Sequence, residues 1–175
     1  MKLSFFSLAS GSSGNCYYLG TPDFGILIDA GISFRTIKKV LKDNNIDISK
    51  IAAVLVTHDH ADHIKTVGYL GEKMYLPIYS TADVHRGIDN SRYVEETLNG
   101  SRRIIQKEVP FMIRDFSIVA FEVPHDSTDN VGYHICYKEH KFTFATDVGH
   151  ITDTVKKYMS MANHLIIEAN YDEEM

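Results

Sequence analysis

Apolar positions fall in short alternating or continuous runs separated by polar turns, and their spacing predicts the elements. Residues 3–8 read as a strand, followed by the turn Ser10-Gly11-Ser12-Ser13-Gly14-Asn15. Residues 16–19 and 25–29 read as a strand pair around Thr21-Pro22-Asp23. Ser33 stands as a helix N-cap, because Phe34, Ile37, Val40 and Leu41 share one helical face and Lys38, Lys39 and Lys42 the other. The continuous apolar run 51–56 suits a strand buried on both faces.

Residues 64–73 read as a helix, 78–80 as a short strand and 81–89 as a helix capped by Thr81. The polar stretch 90–107 gives no clear element. Residues 116–123, 131–137 and 141–146 read as successive strands, the last two a hairpin around Glu139-His140. A helix over 151–161 and a final buried strand over 165–169 complete the order. Antiparallel runs with helices between them imply an α/β (α+β) fold of two sheets with helices on their outer faces, as one domain over 1–175.

Four strands end on a metal-competent residue. Ile26-Leu27-Ile28 leads to Asp29, and Val54-Leu55-Val56 to Thr57-His58. Phe121-Glu122-Val123-Pro124 leads to His125, and Phe142-Thr143-Phe144-Ala145-Thr146 to Asp147. Side by side, such strands would gather these residues along one edge. Over residues 58–63 the pattern His-x-His-x-Asp-His (His58, His60, Asp62, His63) places four metal-competent side chains in six residues. Neutral imidazole and carboxylate suit zinc and related divalent cations. An irregular loop aims alternate residues at one ion, which a helix with His58 and His60 at i, i+2 cannot do. The plainer alternative is an exposed polar turn, or a helix start capped by Asp62.

Composition narrows the functions. The chain has 175 residues, 44% hydrophobic, with 18 basic and 23 acidic residues and a net charge of −5. That balance excludes general polyanion binding, which needs concentrated Lys and Arg. Arg86, Arg92, Arg102, Arg103 and Lys107 offer a local phosphate-facing surface or simply a solvated face. Cys16 and Cys136 have no CxxC partner, which excludes a zinc ribbon or thioredoxin-like motif, and two reduced thiols are expected. The broken apolar run after Lys2 reads as a strand rather than an export signal, and no run reaches membrane-spanning length. A cytoplasmic protein with no membrane partner is expected.

The motifs Leu27-Ile28-Asp29-Ala30-Gly31, Thr57 to His63, Pro124-His125-Asp126 and Ala145-Thr146-Asp147-Val148-Gly149-His150 resemble the metallo-β-lactamase superfamily. Within it, Ser10 to Asn15 and Ile166-Ile167-Glu168-Ala169-Asn170-Tyr171-Asp172 are similar to the bacterial WalJ-type (YycJ-type) branch. The resemblance implies an αββα sandwich of two mixed sheets. It implies two divalent ions, zinc foremost with manganese or iron as alternatives. His58, His60 and His125 would bind the first ion, Asp62 and His63 the second, and Asp147 both. Asp62 would also orient the attacking water. Asp29 would fix the histidine loop, or serve as a turn residue before Gly31. His150 and Glu168 are weaker candidates on the substrate side or behind the ligands.

The family places one more ligand His downstream. His150 is too close to Asp147 to match it, and His164 sits in a strand where that ligand is not expected. The chain therefore resembles the N-terminal and central part of the fold, with the second half incomplete and the second ion one ligand short. An exposed apolar surface able to drive homodimer formation is the corollary. By the same resemblance the activity is metal-dependent hydrolysis of a phosphodiester, with DNA as substrate. Hydrolysis of a small ester, thioester or lactam, and an inactive metal-binding fragment, are the other readings.

Overall fold

A computed structural model describes residues 2–124 and 129–169. The chain divides into two units, residues 1–104 and 105–175.

The first unit carries β1 (Ser4–Ala9), β2 (Cys16–Gly20), β3 (Gly25–Ile28), α1 (Phe34–Asp43), a 3₁₀ turn (Ile48–Lys50) and β4 (Ile51–Leu55). Then come α2 (Ala61–Ile64), α3 (Val67–Glu72), β5 (Ile78–Ser80), α4 (Ala82–Asp89) and β6 (Arg102–Ile104). Its six strands form one mixed sheet in the order β1-β2-β3-β4-β5-β6. β1, β2 and β3 pair antiparallel, and β3 through β6 pair parallel. Ser33 caps α1 as the pattern predicts, its hydroxyl accepting from Thr36 N. Ile37 and Leu41 bury that helix's apolar face in a core shared with Leu27, Val54 and Val56.

The second unit carries β7 (Phe111–Ile113), β8 (Phe116–Glu122), β9 (Val131–Tyr137), β10 (His140–Val148), α5 (Asp153–Met161) and β11 (His164–Ala169). Its sheet runs β11-β10-β9-β8-β7, antiparallel except for the parallel pair β10–β11. α5 covers one face of this sheet, where Tyr158 stacks on Phe121 at 4.4 Å between centroids. Val155 joins the same cluster with Val123, Ala145 and Val148.

Three expectations need correction, and two strands have no counterpart among them. The helix expected over 64–73 is two short helices. Thr66 gives its backbone N–H to Ala30 O (2.9 Å) and its hydroxyl to Ile32 O (2.5 Å), which takes it out of the helical ladder. The helix expected from residue 151 starts at Asp153, because the Thr152 hydroxyl accepts from Val155 N and caps it there. The strand expected to be buried at 165–169 lies at an edge of its sheet among the described residues. Leu165 on it is 47% exposed, and Ile166, Ile167 and Glu168 are half-buried. β6 and β7, three residues each, have no counterpart in the pattern. Both cysteines are free. No helix among the described residues is long and apolar enough to cross a membrane.

Candidate metal centre

In the first unit, parallel neighbours β3 and β4 end level with each other, Ile28 opposite Leu55. The residues that follow, Asp29 and Thr57-His58, are fully buried. Asp29 adopts the left-handed conformation (φ 61°), and its N donates to Leu55 O at 2.7 Å. Its Oδ1 accepts from Thr57 N at 2.8 Å. Oδ2 accepts from the Thr57 hydroxyl at 2.8 Å and lies 2.7 Å from His63 Nδ1.

Those contacts fix two histidine tautomers. A carboxylate only accepts, so His63 Nδ1 carries the proton and Nε2 the lone pair. The single Thr57 proton goes to Asp29, so its oxygen must accept from His58 Nδ1, 2.9 Å away. His58 therefore also presents a lone pair on Nε2. The His58 ring lies 4.0 Å from the His63 ring and 4.6 Å from the His60 ring, between centroids. His63 Nε2 lies 3.8 Å from Asp62 Oδ2. Three imidazoles and a carboxylate thus cluster, two of them held in the tautomer a metal requires.

The loop is only half irregular. His58 to His60 is extended, while Asp62 and His63 lie in the first turn of α2, with His60 at the N-cap position. Asp59 turns away against α4, where a Cβ on Gly87 would meet its Oδ2 at 1.9 Å.

Asn15, which the pattern leaves as a turn residue, positions Asp62. It is buried; its N donates to Asp62 O at 2.8 Å and its Nδ2 to Asp62 Oδ2 at 3.2 Å. Nδ2 also donates to Gly11 O, and Asn15 Oδ1 accepts from Gly11 N, closing the Ser/Gly turn on itself. Gly31 admits this approach, since a Cβ there would meet Asp62 O at 1.7 Å. A Ser/Gly turn ending in Asn was the available signal, but its target lies 47 residues away.

In the second unit β8 and β10 both run antiparallel to β9, so their C-terminal ends share an edge. Gly149 N donates to Pro124 O at 3.0 Å across that edge. Asp147 is again left-handed (φ 54°), at a register break between Ala145 and Val148. Asn130 Nδ2 donates to the carbonyl of Thr146 just before it. Glu168 stands on β11 opposite this break, between Ile167 and Ala169. His150 is exposed. His125 lies outside the described residues. The four strand ends therefore gather as two pairs, one in each sheet.

Two further histidines, His85 and His134, serve the fold. His85 Nε2 donates to Ile78 O and Arg103 O, and burial lowers its pKa. His134 Nδ1 donates to the Thr143 hydroxyl, whose proton goes to Tyr158 O. The basic side chains are largely engaged within the chain. Arg86 pairs with Asp83 (2.8 Å), Arg102 with Asp89 (2.7 and 2.5 Å), and Lys107 with Asp129 (2.7 Å). Arg103 donates to two carbonyls, and Arg92 to Tyr93 Oη.

The family profile described as a beta-lactamase superfamily domain matches residues 25–175. Exodeoxyribonuclease YycJ of Bacillus anthracis is 31% identical over 175 residues, covering 100% of this chain and 66% of that protein. Exodeoxyribonuclease WalJ of Streptococcus pneumoniae serotype 2 is 33% identical over 168 residues, covering 96% of this chain and 62% of that protein. The chain thus spans 62–66% of the length of these two relatives. MEM-A1, a subclass B3 metallo-beta-lactamase from a soil metagenome library, superposes with a TM-score of 0.70 at 14% identity, covering 94% of this chain and 76% of its own. The family match over most of the chain and the shared fold give one result: the chain belongs to the beta-lactamase superfamily and has the metallo-β-lactamase fold.

Proposed function

We propose that the protein is a metal-dependent phosphodiesterase acting on DNA, with His58, His60, Asp62, His63, His125 and Asp147 holding two divalent ions, zinc foremost. The fold implies a divalent metal. The observation that carries the reading is the Asp29 network. It leaves His58 and His63 with their Nε2 lone pairs toward a cluster that also holds His60 and Asp62. That donor set fits zinc, manganese or iron. The names of the two relatives supply the substrate class.

When bound, such ions bring the pKa of a water to about 7 and offset the charge on the oxygens of an in-line displacement. The chain's own residues do the rest. Asp29 holds the imidazoles in register. Asp62, steadied by Asn15, accepts a hydrogen bond from the attacking water and aims it. Glu168 supports Asp147 from the neighbouring strand, and exposed His150 meets the phosphate side of the substrate. The cytoplasm is the proposed compartment. Association into a homodimer through exposed Ile151, Met161 and Leu165 belongs to the same proposal.

Purified protein with Mn²⁺ or Zn²⁺ should shorten end-labelled DNA, and His60→Ala should abolish this. Equal cleavage by both proteins overturns the reading. Turnover of an ester or lactam without DNA cleavage would assign the centre to small-molecule hydrolysis. Fewer than about one ion per chain under loading conditions would assign an inactive fragment.

A further inference from the structure

His140 opens β10 and His164 opens β11, on adjacent parallel strands of the second unit. His140 Nδ1 and His164 Nε2 lie 3.1 Å apart. The two rings are nearly stacked, 5.2 Å between centroids at 29°. Each is held in place. The His164 ring stacks on Phe142 at 4.8 Å and 18°. Asn163 ties the strand starts together: its Oδ1 accepts from Lys141 N, its N donates to Lys141 O, and its Nδ2 donates to Glu139 O. Glu139 Oε1 lies 3.7 Å from His140 Nε2, on the far side of that ring.

Two imidazole nitrogens facing each other share one proton between two lone pairs. A divalent ion can take both. Nitrogens bound at ~2.0–2.1 Å stand about 2.9–3.4 Å apart, depending on octahedral or tetrahedral angles, and the observed separation lies in that range. A carboxylate behind one ligand histidine is the usual companion of such a site, and Glu139, too far at 3.7 Å to accept the His140 N–H directly, still adds a favourable negative charge there.

We propose that His140 and His164 form a second cation site, for a divalent transition ion that tethers the start of β11 to β10. Copper(II) is the best occupant, ahead of nickel and zinc, because affinity for a nitrogen pair peaks there. The site is distinct from the centre described above. It lies at the opposite end of β10 from Asp147, roughly 20 Å away at ~3.3 Å per residue. It uses none of the six residues assigned to the catalytic centre. The ion completes its shell with water, so the site is structural and not hydrolytic.

The test uses the full chain, loaded first with zinc and then given one equivalent of Cu²⁺. Wild type should show one copper per chain by paramagnetic resonance, with coupling to two nitrogens. His140→Ala and His164→Ala should each lose that signal while keeping their circular dichroism, since neither ring lies in the core. Copper should raise the melting temperature of wild type and not of the variants. The same copper signal in all three proteins overturns the proposal. So does a signal that persists in the variants while zinc appears in solution, which would place copper on the His58 to His63 loop. Either result leaves the hydrolase reading standing.

Discussion

At the scale of single residues, Asp29 bears the most consequence. One buried carboxylate serves three donors: a backbone N–H, a hydroxyl and an imidazole. Through Thr57 it also sets the tautomer of a second imidazole that it does not touch. Asp29→Asn separates this role from backbone shape, because Asn tolerates the left-handed conformation that Asp29 adopts (φ 61°). An amide must turn an N–H toward one of the donors. Facing His63, it forces the proton to Nε2 and removes a metal lone pair. The variant should stay folded and bind zinc about 10–100-fold more weakly in competition with a chelator, the range for losing such a supporting partner. Unchanged affinity would show that the imidazoles orient themselves. Asp29→Ala adds backbone strain of ~1–3 kcal/mol and would confuse the two effects.

At the scale of elements, close approach and burial decide which substitutions are tolerated. The turn before β2 reaches α2 only because Gly31 has no side chain. A Cβ there would meet Asp62 O at 1.7 Å, with backbone on the other side that cannot rotate away. Gly31→Ala should therefore destabilise the fold by about 3 kcal/mol, the upper end for overpacking, as read from chemical denaturation. A stable Gly31→Ala protein with intact metal binding would show that α2 can shift. His85 links α4 to β5 and β6 through the carbonyls of Ile78 and Arg103. Its Nε2 holds the proton, and a second proton at buried Nδ1 would carry charge into the interior. Burial lowers its pKa below the ordinary 6.5, so the unfolded chain takes the proton first. That stabilisation is present above the unfolded value and is lost as the pH falls through the lower folded one. In chelator, wild type should lose more stability than His85→Gln between about pH 7.5 and about pH 5.5, and equal losses would overturn this. The same elements show what a sequence reveals. α1 was legible because Ser33 and the spacing of Ile37 and Leu41 are local signals. The approach of His58, His60 and His63 was legible for the same reason. Asn15 was not, because its meaning depends on where the chain passes 47 residues later. β6 and β7 were not, because three residues are too few to show a period. The break at Thr66 was invisible because its partners, Ala30 and Ile32, belong to another element.

For the whole molecule, charge sets how DNA would be held. The chain carries a net charge of −5. Five cations in and beside the polar stretch looked, in sequence, like a phosphate-facing surface. In the folded chain Arg86, Arg102 and Lys107 are ion-paired with Asp83, Asp89 and Asp129. Arg103 is turned onto backbone carbonyls, so Arg92, beside exposed Tyr93, remains the best placed of the five to meet a phosphate. A phosphate recruiting Arg86, Arg102 or Lys107 would have to displace a carboxylate already in place, which releases no net counterion. Under the proposed function, binding should therefore rest on the metal centre and on few ionic contacts. Each neutralised phosphate contributes about −0.9 to the slope of log K against log salt. The slope should be no steeper than about −3, so affinity should fall less than about a hundredfold between ~50 and ~200 mM salt. Fluorescence anisotropy of the metal-loaded protein with a cleavage-resistant phosphorothioate DNA measures this without altering any proposed ligand. A slope near that of proteins making 6–10 phosphate contacts would show that the arginines exchange their internal partners for DNA. A shallow slope together with loss of binding in chelator would assign recognition of the scissile phosphate to the metal centre itself.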